Sequence, residues 1–277
     1  MHNNSYNIKT VGPRAAKLIT TLYEQNKTIF GLKNVQEILQ FRQAQSCNFI
    51  RKLINRKIVT RLKSGLFILI PFELGKEREY IGNPLIVARE IMGGKDYYIS
   101  HGAAMEVHGM VTQPQLVISV TTTKLRRPLD IMGVSFRFIH TEKKFFFGLS
   151  DYWVTKQEKI KVSDLERTVI DGLKQPQYCG GITEAAKGLW MKRQEIKVDQ
   201  LINYALKMKI GAITRRLGYL LELYNMGNSD QLEIIRNYLT ETYVKLDPFL
   251  PSEGKFIRRW RLRLNVSADE LLAVVRT

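Results

Sequence analysis

Arg42-Gln43-Ala44-Gln45-Ser46-Cys47-Asn48-Phe49-Ile50-Arg51-Lys52-Leu53-Ile54-Asn55, followed by Ile58-Val59-Thr60-Arg61-Leu62-Lys63-Ser64-Gly65-Leu66-Phe67-Ile68-Leu69-Ile70-Pro71, decides how the first quarter of the chain folds. In the first segment Phe49, Ile50, Leu53 and Ile54 recur at helical spacing and must face a small core. The opposite face presents Gln45, Asn48, Lys52 and Asn55, with Arg51 at its edge. The second segment is two β-prone runs joined at Lys63-Ser64-Gly65, the pattern of a hairpin with a basic tip.

Two further helices precede this pair. Pro13 suits a first helical turn, where its missing N–H is not needed, and Ala16, Ile19, Leu22 and Tyr23 follow at helical spacing up to Asn26. A second helix reads from Asn34, as a cap, through Val35, Ile38 and Leu39. Three helices and a hairpin is the order of a winged helix-turn-helix, with the third helix in the major groove and the wing beside the phosphates. The side chains suit that placement: Asn and Gln pair with adenine edges, Arg with guanine. Lys52, Arg61 and Lys63 suit phosphates, which position a protein without specifying sequence. The expected DNA-facing set is Arg42, Gln45, Ser46, Asn48, Arg51, Lys52, Asn55, Arg61 and Lys63. The alternative is the same fold used for protein contact, with Gln45 and Asn48 merely solvated.

The charge supports the first reading. The 277 residues carry a formal net charge of +17. Residues 1–75 hold twelve Lys or Arg (from Lys9 to Lys63) against Glu24, Glu37 and Glu73, so +9 sits there and +8 is left for the other 202 residues. A uniformly basic surface would not divide that way. Apolar residues make up 44% and charged residues 25%, an ordinary globular composition. The longest purely apolar run, Leu66–Ile70, is far below the roughly 20 residues of a membrane helix. Cys47 and Cys179 are too few for a disulfide scaffold or a four-Cys zinc site. Met1-His2-Asn3-Asn4-Ser5 lacks an apolar signal core, so a cytoplasmic, nucleoid-associated protein is expected. The stretch Glu73–Pro84, with two glycines and mixed charge, reads as a junction between a domain at 1–75 and a larger one at 80–277.

That larger region mixes helices and strands, which makes the class α+β. A helix begins at Pro84, Tyr97-Tyr98-Ile99 is a short strand, and Ser100 caps a helix through Val107. Leu116–Val120 and Val134–Ile139 read as strands. Ser163–Glu166 and Ser267–Glu270 read as capping boxes. Helical periodicity runs from Ile182 to Leu239 with breaks near Gly211 and Gly227. Arg259, Arg261 and Arg263 alternate with Trp260, Leu262 and Leu264, as on a strand with one basic face, which reads equally as an accessory phosphate-binding or docking surface and as a solvated strand face.

Other constellations carry less. His101 and His108 lie seven apart without a nearby Cys or carboxylate and read as structural. Asp130, Glu142 and Lys144 loosely match the acid…acid-x-Lys pattern of metal-dependent nucleases, a second alternative. Gly93-Gly94-Lys95 lacks the spacing of a phosphate loop. Cys179 has no neighbouring His to favour a thiolate. No catalytic group, metal or cofactor is expected.

Several segments in this order resemble the AbiEi antitoxin and transcriptional regulator family of type IV toxin–antitoxin systems. They are Ile50-Arg51-Lys52-Leu53 with Ser64 to Pro71, Tyr98-Ile99-Ser100-His101 to Met110, Val162-Ser163-Asp164-Leu165-Glu166-Arg167-Thr168 to Asp171, and Arg216 to Glu222. The resemblance spans about residues 13 to 222 and fades after Asn228, so the Arg258–Arg263 segment inherits no role from it. It implies an autorepressor whose winged helix binds inverted repeats in double-stranded DNA at an operon promoter. It also implies an antitoxin domain that opposes a nucleotidyltransferase toxin without a stable complex, in abortive infection against phage.

Overall fold

The computed structural model describes residues 11–75 and 79–273. Lys9 and residues 76–78 of the expected junction lie outside the described residues. The class is mixed α+β, and the chain divides into two compact units. One is Met1–Lys95 with Leu129–Ser135 and Trp153–Glu158; the other is Asp96–Pro128, Phe136–Tyr152 and Lys159–Thr277. The first unit thus reaches Lys95, fifteen residues past the point at which composition alone placed the second domain's start.

The first unit begins with α1 (Pro13–Glu24), β1 (Ile29–Gly31), α2 (Leu32–Leu39), α3 (Gln43–Asn55), β2 (Val59–Lys63) and β3 (Leu66–Leu69). Pro13 opens α1 as its composition suggests, but the buried face is Ala15, Leu18, Ile19 and Leu22, and Tyr23 is exposed. Asn34 caps α2 from inside rather than before it: the helix starts at Leu32, and Oδ1 of Asn34 accepts from the Gly31 N–H at 2.9 Å. Strands β1, β3 and β2 form an antiparallel sheet in that order, with Phe30 opposite Phe67 and Arg61 opposite Phe67 on the other side. Gly65, at φ +75°, makes the hairpin tip, a conformation that L side chains rarely adopt. Leu18, Leu22, Phe30, Val35, Ile50, Leu53 and Ile58 close the core beneath α3. Then α4 (Pro84–Met92), capped by Asn83, completes the unit, and Arg89 pairs with Glu90 and Glu158 at 2.9 and 2.8 Å.

The second part of the chain holds a six-stranded sheet in the order β6-β7-β5-β4-β9-β8. Its strands are β4 (Tyr97–Ile99), β5 (Val117–Thr122), β6 (Leu129–Ile131), β7 (Val134–His140), β8 (Leu149–Trp153) and β9 (Lys159–Ser163). Strand β4 pairs antiparallel with β5 and parallel with β9. Around it lie α5 (His101–Val107), α6 (Leu165–Lys174), α7 (Ile182–Met191), α8 (Val198–Met208), α9 (Gly211–Leu223) and α10 (Ser229–Arg236). A small sheet, β10 (Val244–Lys245), β12 (Leu262–Leu264) and β11 (Lys255–Ile257), and α11 (Ala268–Ala273) finish the chain.

Three local expectations change. Asp164, not Ser163, is the cap of α6, its Oδ1 accepting from the Arg167 N–H at 2.7 Å. Ser163 belongs to β9, and the Glu166 carboxylate is buried and accepts from the Lys197 N–H at 2.8 Å. Ser267 does cap α11, but Glu270 receives Thr183 Oγ1 instead of reaching back to the cap. The supposed basic strand at 259–264 is a turn over Arg258–Arg261 followed by the three residues of β12. Trp260 is wholly buried, and its indole sits where any Cβ on Gly218 of α9 would fall, which explains a glycine in mid-helix.

Among the described residues the least exposed charge is Arg167, at 0%. Its Nε donates to Asp171 Oδ1 at 2.9 Å, Nη2 to the Tyr98 hydroxyl at 2.9 Å, and Nη1 to the Phe145 carbonyl at 2.9 Å. The Phe147 ring lies 4.5 Å from the guanidinium carbon, and the Tyr98 hydroxyl donates onward to Asp171 Oδ2 at 3.2 Å. Burial alone would lower this arginine's pKa; the Asp171 charge and the Tyr98 contact more than offset it and hold it above the ordinary value. Replacing Arg167 with Met strands the Asp171 carboxylate and should cost about 3–5 kcal/mol in urea unfolding. Removing both charges together, as Arg167→Met with Asp171→Leu, should recover part of that loss. A single substitution costing under about 1 kcal/mol would show that the network is not what holds α6 to β4.

Candidate nucleic-acid interface

Between Glu37 and Glu73 the sequence has no acidic residue and seven basic ones: Arg42, Arg51, Lys52, Arg56, Lys57, Arg61 and Lys63. The fold gathers most of them on α3 and the β2–β3 hairpin. Because Ile50 and Leu53 are anchored in the core, the helical period turns Gln45, Asn48, Arg51, Lys52 and Asn55 outward, and all five are exposed. Arg42 is exposed at the N-cap of α3, where its N–H donates to Gln45 Oε1 at 2.9 Å.

Alongside this face runs a groove of about 280 Å³ between α3 and the hairpin, with Arg51 on the helix side, Arg61 on the strand side and Ser64 and Gly65 at the tip. Cys47, Ile50, Ile54, Leu32 and Phe67 line its floor and walls. Sequence reasoning missed Cys47, Ser64 and Gly65 as parts of this surface; the signal for Cys47 was its place one helical turn before Arg51. No acid lines the groove, so its arginines present an uncompensated positive field to any anion that enters.

Two members of the expected set are placed differently. Ser46 has no exposed surface; its Oγ donates to the Arg42 carbonyl at 3.2 Å, so it locks the first turn of α3 and reaches no ligand. It lies on the same side of the helix as Ile50 and Leu53, which is why it is buried. Lys63 is half-buried, and its ammonium turns back to the Ile91 carbonyl of α4 at 3.4 Å. Arg61 remains exposed, with Nε donating to the Lys63 carbonyl at 3.4 Å. The hairpin therefore offers Arg61 and the bare tip rather than a lysine at its end.

The accessory set divides as well. Arg259 and Arg261 lie on the turn with Arg258, while Arg263 lies on β12 over the Phe256 ring, its Nε buried without a hydrogen-bond partner among the described residues. Arg259 pairs with Glu222 at 2.6 Å.

The remaining polar candidates sit in packed surroundings. His108 Nε2 contacts the Ser163 carbonyl at 2.7 Å. His101 is 1% exposed and holds φ +50° at the start of α5; Nδ1 meets Ser100 Oγ at 2.9 Å, and Nε2 has no hydrogen-bond partner among the described residues. Burial pushes its pKa down to about 4, against the pull of Asp171. Burial and Asp171 push the Cys179 thiol up, away from any reactive thiolate. Asp130 receives Ser135 Oγ, and Glu142 pairs with Lys144 at 2.8 Å, both at exposed positions. Among the described residues no group of three or more His, Cys, Asp or Glu is arranged to hold a metal. No helix among them is long and apolar enough to cross a membrane.

No family model and no curated protein matches the chain. Among solved structures the chain is similar to the crystal structure of the RV2827C protein from Mycobacterium tuberculosis, with a TM-score of 0.66 and 14% identity over 97% of this chain and 96% of that one. At that identity the likeness concerns the fold alone.

His101 gives this region a pH signature. Between its ordinary value of 6.5 and about 4, the unfolded chain takes up a proton that the folded chain refuses. Stability should therefore rise with pH across that window and be lost as pH falls, by about 3 kcal/mol at its foot. Asparagine tolerates the left-handed backbone at this position. Unfolding free energies between pH 7 and 4.5 should fall about 2–3 kcal/mol further in the wild type than in His101→Asn; parallel curves would place the proton elsewhere.

Proposed function

We propose that this chain is a DNA-binding transcriptional autorepressor whose N-terminal unit is a winged helix-turn-helix. The observation that carries the reading is the exposed row Gln45, Asn48, Arg51, Lys52 and Asn55 on α3, beside the Arg51–Arg61 groove and without an acid in the segment. In this reading α3 enters the major groove, Asn48 and Arg51 meet base edges, and Lys52 and Arg61 meet phosphates. Gln45 first steadies the start of its own helix, its amide oxygen accepting from the N–H of the Arg42 cap.

The second half of the proposal is an antitoxin role against a nucleotidyltransferase toxin. Its support is the resemblance of Tyr98 to Met110, Val162 to Asp171 and Arg216 to Glu222 to the AbiEi family. Those segments contain Tyr98, Arg167 and Asp171, the members of the buried network, so the likeness concerns how that unit is built. The region after Asn228 has no part in it.

A gel shift with the DNA upstream of the gene tests the first half. The wild type should shift it, and Arg61→Ala should reduce the slope of log affinity against log salt by about 0.9, one phosphate contact. Asn48→Ala should cost about 1–3 kcal/mol at one base position and relax the preference there. A folded protein that leaves the promoter unshifted would make the α3–hairpin surface a protein contact instead. Co-expression of the full chain with the product of the adjacent gene tests the second half: growth should be rescued, and persistent arrest would reject the antitoxin role.

A further inference from the structure

The turn Arg258-Arg259-Trp260-Arg261 builds a second basic site that uses no residue of α3 or the hairpin. Its anchor is the buried Trp260 indole, which fits against Gly218 and donates from Nε1 to Glu222. With the tryptophan inward, the arginines on either side of it turn outward. They meet Glu233, Arg236, Asn237 and Leu239 from α10 and the residues just after it, and together these surround a concave space of about 450 Å³ with four arginines and one acid on its wall. That is the size range of small-ligand sites and far too small for a duplex.

The charges at this site do not cancel. Arg236 pairs with Glu233 and Arg259 with Glu222, each at 2.6 Å. Arg258 has no side-chain hydrogen bond or ion pair among the described residues, and Arg261 contacts only an uncharged ring, Tyr243, whose hydroxyl lies 3.4 Å from Nη1. Arg215 of α9 is buried nearby and spends its donors on the carbonyls of Gly211, Thr240 and Thr242, so no acid neutralises it either. Burial lowers its pKa, and the positive charge of Arg261 adds to that. Arg261 itself holds φ +51°, a left-handed conformation that non-glycine residues adopt only under constraint. Two neighbouring guanidiniums without a carboxylate partner, in a concavity, are the arrangement expected when a ligand supplies the missing anions.

We propose that this pocket binds a small ligand through a di- or triphosphate group, nucleoside polyphosphates being the chemical class of fitting size. Arg258 and Arg261, which no carboxylate matches, would take the phosphate oxygens, and Arg236 and Arg259, paired with Glu233 and Glu222, would flank them.

Calorimetric titration of the full-length protein tests this with tripolyphosphate, ATP and adenosine. Tripolyphosphate and ATP should each bind one per chain, weakening as salt is raised, and adenosine should not bind. Equal affinities would mean that the phosphate chain alone is recognised; tighter ATP binding would mean that the nucleoside is read as well. Arg258→Ala combined with Arg261→Gly should weaken both by about tenfold or more, the loss of roughly one charge-assisted contact or more. Glycine adopts the left-handed turn without strain, so the double variant should melt no lower than the wild type, and the loss could not be assigned to misfolding. Absence of one-to-one binding in the wild type, or unchanged affinity in the variant, would overturn the proposal. So would a variant that loses affinity for promoter DNA while binding tripolyphosphate normally, because the turn would then be a duplex surface.

Discussion

A guanidinium held away from water needs its charge opposed at short range and acceptors for its nitrogens. All three nitrogens of Arg167 find one, in Asp171, Tyr98 and the Phe145 carbonyl, and those partners come from three separate parts of the chain. The requirement therefore fixes the position of α6 against β4 and of the segment before β8 against both. The neighbouring contacts extend the same logic. Asp164 caps the helix that carries Arg167 and also receives the Tyr204 hydroxyl at 2.8 Å, and Glu166 receives the start of α8. One turn of helix thus sets the orientation of much of the second unit, with apolar packing filling in around it.

The two units manage positive charge in opposite ways. In α3 and the hairpin the arginines and lysines stand on an exposed surface, and the core below them is apolar. In the second unit Arg167, Arg215 and Arg216 are drawn inside and consumed by carbonyls and carboxylates. A residue count treats these cases alike, although only the first leaves a field outside the protein. The excess of +8 outside the first 75 residues is in part this internal scaffolding. What remains outside includes the turn at Arg258–Arg261, where a buried tryptophan holds the arginines at the surface.

Much of the first unit was legible because its elements are set by local pattern. Helix α3 follows from apolar residues three and four apart, and the hairpin from two apolar runs around Ser64-Gly65. Strand β1 was not legible: Ile29-Phe30-Gly31 is three residues long and is a strand only because β3 offers it hydrogen bonds. Ser46 reads as polar and outward in the sequence, yet it is buried once Ile50 and Leu53 fix the rotation of α3. In the second unit the pair Ser163 and Glu166 imitates a capping box, and tertiary pairing of β9 with β4 removes Ser163 from the helix.

The sequence by itself determined where the acid-free basic segment lies, which face of α3 is polar, and that the class is α+β. These are properties of spacing and composition, and neighbours along the chain are enough to express them. Only the tertiary structure decided that Lys63 turns toward Ile91, that Arg61 and Arg51 share a groove, and that 258–261 is a turn rather than a strand. It alone decided which arginines are spent inside and which are left facing out. The reason is that a charge's fate depends on the carbonyls and carboxylates brought within about 3 Å of it, and most of those come from residues distant in the chain.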